Sequence, residues 1–228
     1  MKILSCGVAV IEGDEAHAKW IEELGTIHHD PWFRDQVLKH INPGDVVVQG
    51  GANIGTLTRA MLEAGAAVVT FEPNKQAYEC LWRNCPKNLF PRMVVHVEGG
   101  LSDELGVIGF VIEKNNAGAS HFSFGPKPEI YARVVPLDGF SAIDGVNVRL
   151  ILLDIEGWEV RALRGARETI ARCRPTIICE VNRGALERAG TSDAELFDLL
   201  DQCGYSIQVM QPDCKIGDLQ YDILCLPK

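Results

Sequence analysis

The chain has 228 residues, 46% hydrophobic and 23% charged, and a formal net charge of −9, which fits one α/β domain with a full core better than two domains. The acidic balance disfavours general nucleic-acid or anionic-membrane binding, no run approaches the roughly 18 apolar residues of a membrane span, and MKILSCGVAVIEGDEAH meets acidic residues too early for a secretory signal. Eight cysteines are scattered with no CxxC pair, so we expect a reduced, cytoplasmic protein whose partners are small molecules.

The first 44 residues carry weak patterning, with a helix expected around WFRDQVLKHI and a Pro43-Gly44 turn. DVVVQ (45–49) is a β-branched strand followed by glycines, and IGTLTRAMLEAG (54–65) repeats Ile54, Leu57, Met61 and Leu62 at helical spacing. AVVTFE (67–72) is a second strand, Pro73 opens the helix NKQAYECLWRNC, and MVVHVEG (93–99) is a third strand. Between Gly100 and Gly145 the alternation breaks. GVIGFVIEK and IYARVVPL read as an added pair of strands around the loop-like NNAGASHFSFGPKP, a place where acceptor recognition is expected. LILLDIEG (150–157) is a fourth main strand leading into one helix to about Cys173, and PTIICEV (175–181) is a fifth. SDAELFDLLDQCG, YSIQVM and YDILCLP complete the chain as helix, strand, strand, with Ser192 and Glu195 spaced as a capping box. The whole, 1–228, reads as one domain with an N-terminal segment (1–44) and an insertion (100–145).

Repeated strand–helix units imply a mainly parallel, doubly wound sheet, which binds ligands beyond the carboxyl ends of its strands. Those ends deliver Gln49 to Gly55, Glu72, Gly99 to Asp103, Asp154 to Gly157, and Glu180 to Asn182. In GGANIG a dinucleotide fingerprint counted from Gly51 needs glycine where Asn53 stands, and no lysine-bearing phosphate loop is present. Glycines still let the backbone approach a ligand, and Glu72, 17 residues after Gly55, is placed to accept hydrogen bonds from both hydroxyls of a ribose.

VVVQGGANIGTLT, VVTFEPN, EGGLSDELG, LLDIEGWEVRALRGA and RPTIICEV, in this order, resemble the FkbM family of S-adenosylmethionine-dependent methyltransferases over roughly residues 40 to 182. The resemblance implies a class I methyltransferase fold, a seven-stranded, mostly parallel sheet whose last strand runs antiparallel. It implies that Gln49, Gly50, Gly51, Asn53 and Gly55 line the methionine and ribose end of S-adenosylmethionine. It implies also that Glu72 binds the ribose hydroxyls, and that Leu101 with Ser102 or Asp103 flanks the adenine. Two positions depart from the family pattern: Gln49 replaces its usual aspartate, and Leu152 replaces the lysine two residues before the aspartate of DxEG.

Methyl transfer to a hydroxyl of a small metabolite, sugar or glycan is the expected reaction, and it benefits from a base. Asp154 is the first candidate as base or acceptor-orienting residue and also borders the cofactor; Glu156 and Glu180 are next, and His121 is an alternative. His28, His29 and Asp30 cluster, and Asp154 with Glu156 offers two carboxylates, but without HxH or HxxxH spacing no metal is expected. Arg161, Arg164, Arg167 and Arg172 read as a solvated helix face, and Trp158 as either an acceptor-stacking or a packing residue. The rival functions are a nicotinamide-dependent oxidoreductase, disfavoured by the failed fingerprint and the absence of YxxxK, and a catalytically silent cofactor-binding protein.

Overall fold

A computed structural model describes residues 1–27, 30–90, 94–113 and 116–228. His28 and His29 of the acidic-histidine cluster, and Met93 at the head of the third expected strand, lie outside the described residues. The main sheet comprises β1 (Val46–Gly50), β2 (Ala67–Glu72), β3 (Val94–Glu98), β4 (Val148–Leu153), β5 (Thr176–Asn182), β6 (Tyr205–Val209) and β7 (Gln220–Pro227). Their spatial order is β6-β7-β5-β4-β1-β2-β3. β3, β2, β1, β4 and β5 pair in parallel, and β7 runs antiparallel to both β5 and β6. This is the class I methyltransferase arrangement.

β4 shows why the central strands read as unbroken apolar runs. Leu150 and Leu152 enter the core on one face, and Ile151 and Leu153 enter the core on the other. Alternate side chains of a strand point to opposite faces, so a strand covered on both sides has no polar position to spare.

Helices α1 (Glu15–Leu24) and α2 (Pro31–Leu38) precede the sheet, and α3 (Thr56–Glu63) and α4 (Lys75–Asn84) follow β1 and β2. α2 is the helix expected around WFRDQVLKHI. α1 falls in the segment with weak patterning: Asp14 caps it, Gly25 ends it in the left-handed region, and Ile21 packs with Ile54, Ala77 and Cys80. Asn84, at the end of α4, anchors the N-terminal segment. Its Oδ1 accepts from Ala9 N at 2.8 Å, and its Nδ2 donates to Ala9 O at 2.9 Å and Ile54 O at 2.7 Å. A buried amide satisfied on both sides holds the segment in one register.

The helix expected after DIEG is two, α5 (Glu159–Arg164) and α6 (Arg167–Cys173). Asp138 breaks it from outside by accepting from the N–H groups of Glu168 and Thr169, both at 2.8 Å, so the second helix has its own N-terminal cap. Gly165 sits at the break because a Cβ there would lie 1.9 Å from Ser102 O. α7 (Arg183–Arg188) and α8 (Asp193–Gln202) complete the helices, and Ser192 Oγ accepts from Glu195 N at 3.2 Å as the capping spacing requires.

The insertion is a second, four-stranded sheet. Gly106–Val111 and Ile130–Val135 pair antiparallel as expected, with Val107 opposite Arg133. The stretch between them is not all loop: Ala117–Ala119 forms a 3-10 turn, and His121–Ser123 adds a strand beside Gly109–Val111. The arginine stripe is also more engaged than a solvated face. Arg161 lies over Phe124 and Trp158 and bonds Asp103 at 3.3 Å, Arg164 pairs with Glu195, and Arg172 donates to Val146 O at 2.7 Å.

Candidate active site

The carboxyl ends of β1, β2, β4 and β5 open onto two adjoining clefts. The smaller, about 590 Å³, is lined by Gly51, Asn53, Glu72, Leu101, Phe71 and Phe122 among others. The larger, about 1270 Å³, is lined by His17, Arg34, Gln49, Asp154, Glu156, Glu180 and Asp222 among others. Gly51, Asn53, Gly118 and Asp154 border both. The residues that join two clefts are where two ligands would meet.

Gly51 is the hinge of the loop. It has φ +77, and a Cβ would fall 1.8 Å from Asp154 O, so no other residue lets β1 and β4 close at this point. Of the other two glycines expected to line the cofactor, Gly50 packs against Leu153 and Ile155 and Gly55 against Leu81 and Cys85, and neither borders a cleft.

Glu72 holds the loop in shape. Its Oε2 accepts from Asn53 N and its Oε1 from Asn74 N, both at 2.8 Å. It is 6% exposed, and burial lifts its carboxyl to about 7 against the lowering effect of those two N–H donors. Each oxygen keeps a lone pair for a ligand hydroxyl. Asn53 adopts φ +49, and its buried Oδ1 has no hydrogen-bond partner among the described residues. An orphaned acceptor beside a carboxylate, in a cleft floored by backbone at Gly51, fits a ribose-bearing ligand.

Leu101 and Gly100 line the smaller cleft together with Phe71, but Ser102 and Asp103 do not. Ser102 is 2% exposed, bonding Asp103 Oδ1 at 3.0 Å and accepting from Trp158 Nε1 at 3.3 Å. Trp158 is likewise a packing residue, 1% exposed against Phe122 at 5.1 Å.

In the larger cleft, donor atoms of Asp154, Glu156 and Glu180 lie within 4.8 Å of one another. Asp154 is solvent-accessible at the floor of the cleft yet enclosed by protein, and burial raises its carboxyl. Burial raises Glu180 too, reinforced by Asp154 and Glu156, and does the same for Glu156 with Asp154 adding to it. Glu156 holds φ +53, a left-handed conformation uncommon for a residue with a side chain. Glu180 accepts from Gln220 Nε2 at 2.5 Å.

Gln49 is 4% exposed, accepts from Thr58 Oγ1 at 2.7 Å, and borders the larger cleft but not the smaller. Leu152 is its neighbour directly across the parallel β1–β4 pairing. The two positions at which the sequence departs from the pattern the resemblance implies are therefore one local, uncharged pair.

His121 lines neither cleft. It lies on a strand whose neighbours Ser120 and Phe122 face the smaller cleft, while its Nδ1 bonds Ala119 O at 3.0 Å. Among the titratable residues of the larger cleft, Asp222, His17 and Arg34 escape sequence reasoning. Asp222 arrives from β7, and His17 arrives from α1, held through Nδ1 by Asp14 Oδ2 at 2.7 Å with Nε2 3.5 Å from Asn53 Nδ2. The signal for His17 was available: Asp14 and Gly25 bracket α1 as cap and stop.

The seven-stranded order and a glycine-hinged loop beside an acidic β2 end define the class as a class I methyltransferase. The chain matches the Methyltransferase FkbM domain over residues 49–207 and belongs to that family, whose methyl donor is S-adenosylmethionine. Among solved structures it is similar to the methyltransferase FkbM from Methylobacillus flagellatus KT, with 19% identity and a TM-score of 0.56, covering 86% of this chain and 46% of that one. This chain thus spans about half the length of that relative. It is similar also to an rRNA methylase from Streptococcus thermophilus (11% identity, TM-score 0.50, covering 86% and 93%). A Streptococcus mutans protein in complex with SAH matches as well (10% identity, TM-score 0.50, covering 85% and 94%). At these identities the structural likenesses establish the fold. No curated protein sequence matches the chain significantly. Among the described residues no helix is long and apolar enough to cross a membrane.

Proposed function

We propose that the chain is a cytoplasmic O-methyltransferase acting on a hydroxyl of a small metabolite, sugar or glycan. The adenosine part of S-adenosylmethionine would occupy the smaller cleft and the acceptor the larger. The observation that carries the reading is the pair of clefts meeting at Gly51, Asn53, Gly118 and Asp154. Residues 1–228 act as one domain, with the insertion supplying Leu101 and Phe122 to the cofactor side and Asn116 to the acceptor side.

The cofactor supplies an electrophilic methyl group when bound, so the chain's task is to bind, orient and exclude water. Glu72 would accept hydrogen bonds from the ribose hydroxyls, and Leu101 and Phe71 would offer apolar surface to the adenine. Asp154, at the junction of the clefts, would orient the acceptor hydroxyl and take up its proton, the methyl group being what the cofactor supplies when bound. Burial raises its carboxyl toward neutrality, which suits a base working near pH 7. Glu156 and Glu180 hold further acceptor hydroxyls.

The test combines adenosylhomocysteine titration with transfer of labelled methyl to a panel of polyols, sugars and phenols. The reading expects binding and transfer to at least one hydroxyl acceptor, with Asp154→Asn lowering kcat about 100-fold or more while the protein still binds adenosylhomocysteine. Binding without transfer across the panel would support a silent binding protein, and transfer only to amines would displace oxygen as the acceptor atom.

A further inference from the structure

Asp154 and Glu156 are sequence neighbours at the end of β4, but the third carboxylate, Glu180, comes from the end of β5, and only the fold brings it to them. One oxygen from each of the three lies within 4.8 Å of the others. Donor oxygens on opposite sides of a single hard cation stand about 4–5 Å apart, twice a metal–oxygen bond of roughly 2.0–2.6 Å. Asp222 borders the same cleft.

Among the described residues the neighbouring cations offset this group only in part. Arg188 stands 4.0 Å from Glu156, and Arg34 is engaged with Asp35 at 2.7 Å. Independently of the clustering, Glu180 is 9% exposed, and while its Oε1 accepts from Gln220, its Oε2 is buried with no hydrogen-bond partner among the described residues. A buried carboxylate oxygen without a donor calls for a proton or a cation, and where three acids converge one cation satisfies all of them at once.

We propose that Asp154, Glu156 and Glu180 form a binding site for a hard divalent cation of the Mg²⁺ or Mn²⁺ class at the head of the larger cleft. All-oxygen ligation selects such ions over zinc or copper, and an open cleft leaves coordination positions for water or an acceptor oxygen. Binding through one oxygen of Asp154 leaves its other oxygen for the acceptor's proton. The role in acceptor positioning rests on the methyl-transfer reading above; the site itself does not.

The experiment is a Mn²⁺ titration of the full chain, free Mn²⁺ being read by its paramagnetic resonance, with and without saturating adenosylhomocysteine and with Mg²⁺ as competitor. The expected result is one submillimolar Mn²⁺ per chain, displaced by Mg²⁺ and weakened at least tenfold by Glu180→Gln and by Asp154→Asn, while the exposed-site control Glu22→Gln leaves it unchanged. Circular dichroism and melting of the near-isosteric variants establish that they fold. Absence of Mn²⁺ binding at millimolar concentration, or binding insensitive to both variants, overturns the site. Loss of adenosylhomocysteine affinity in Glu180→Gln without any Mn²⁺ binding would overturn it in favour of the cofactor's own ammonium as the cation. Because neither readout uses an acceptor, failure here leaves the methyl-transfer reading standing.

Discussion

The two clefts share four lining residues yet solve opposite problems. The smaller is shaped by backbone: a glycine hinge, a left-handed asparagine and one carboxylate that already accepts two N–H donors. The larger is shaped by charge, with Asp154, Glu156, Glu180 and Asp222 converging from three strand ends and few positive groups to offset them. Backbone shape recognises an invariant ligand with little tolerance for substitution, whereas a charged concavity accommodates variable polar ligands. That difference supports the proposal that the cofactor occupies the first cleft and the acceptor the second.

Gly51→Ala should give the largest effect, since the added methyl meets Asp154 O at 1.8 Å in a backbone conformation unfavourable to alanine. We expect a stability loss of about 3 kcal/mol or more in urea unfolding, together with loss of adenosylhomocysteine binding. A mild variant would mean that the loop is not the rigid half of the comparison.

Gln49→Asp tests the charged half. A single acid introduced beside Leu152, in a cleft already rich in carboxylates, should cost about 1–3 kcal/mol, and adding Leu152→Lys should recover most of it because the two positions pair across β1 and β4. Independent, additive effects in urea unfolding would contradict that pairing. The register predicts that only the double variant can tighten cofactor binding.

The smallest effect is expected at Glu159, beneath the acidic cleft. It is 1% exposed, and burial raises its carboxyl to about 8, while its Oε1 accepts from Ile155 N at 3.1 Å. The folded state therefore holds this proton more tightly than the unfolded state. The resulting stability is fully present below about pH 4.5 and declines as pH rises toward about 8. Glu159→Gln should unfold within about 0.5 kcal/mol of the parent at pH 6 and be the more stable of the two at pH 9, the Oε1 acceptor being kept. An unchanged difference between the two pH values would show that Glu159 is ionised in the fold.

Much of this was legible in the sequence for a physical reason. Strands covered on both faces must be apolar throughout, so β1, β2, β4 and β5 announce themselves, and the parallel topology then places their polar ends together. Glu72 and Asp154 follow from that logic. What stayed hidden depends on side-chain direction or distant pairing. His121 was attractive as a loop histidine, but a three-residue strand turns it away from the cleft its neighbours line. Ser102 and Asp103 adjoin Leu101 in sequence, yet Trp158 and Arg161 draw them into the packing beneath the insertion. Asp222 and His17 belong to no local motif, and only the antiparallel last strand and the docked N-terminal helix bring them in.

The central claim, that the smaller cleft holds the cofactor and the acidic one the acceptor, is tested most directly by calorimetric titration of adenosylhomocysteine into Glu72→Gln and Glu180→Gln at pH 8. The account predicts a loss of about 10- to 100-fold for Glu72→Gln, the worth of a charge-assisted hydrogen bond to ribose, and a change of less than about threefold for Glu180→Gln. Equal losses in both variants, or a larger loss at Glu180, would contradict it.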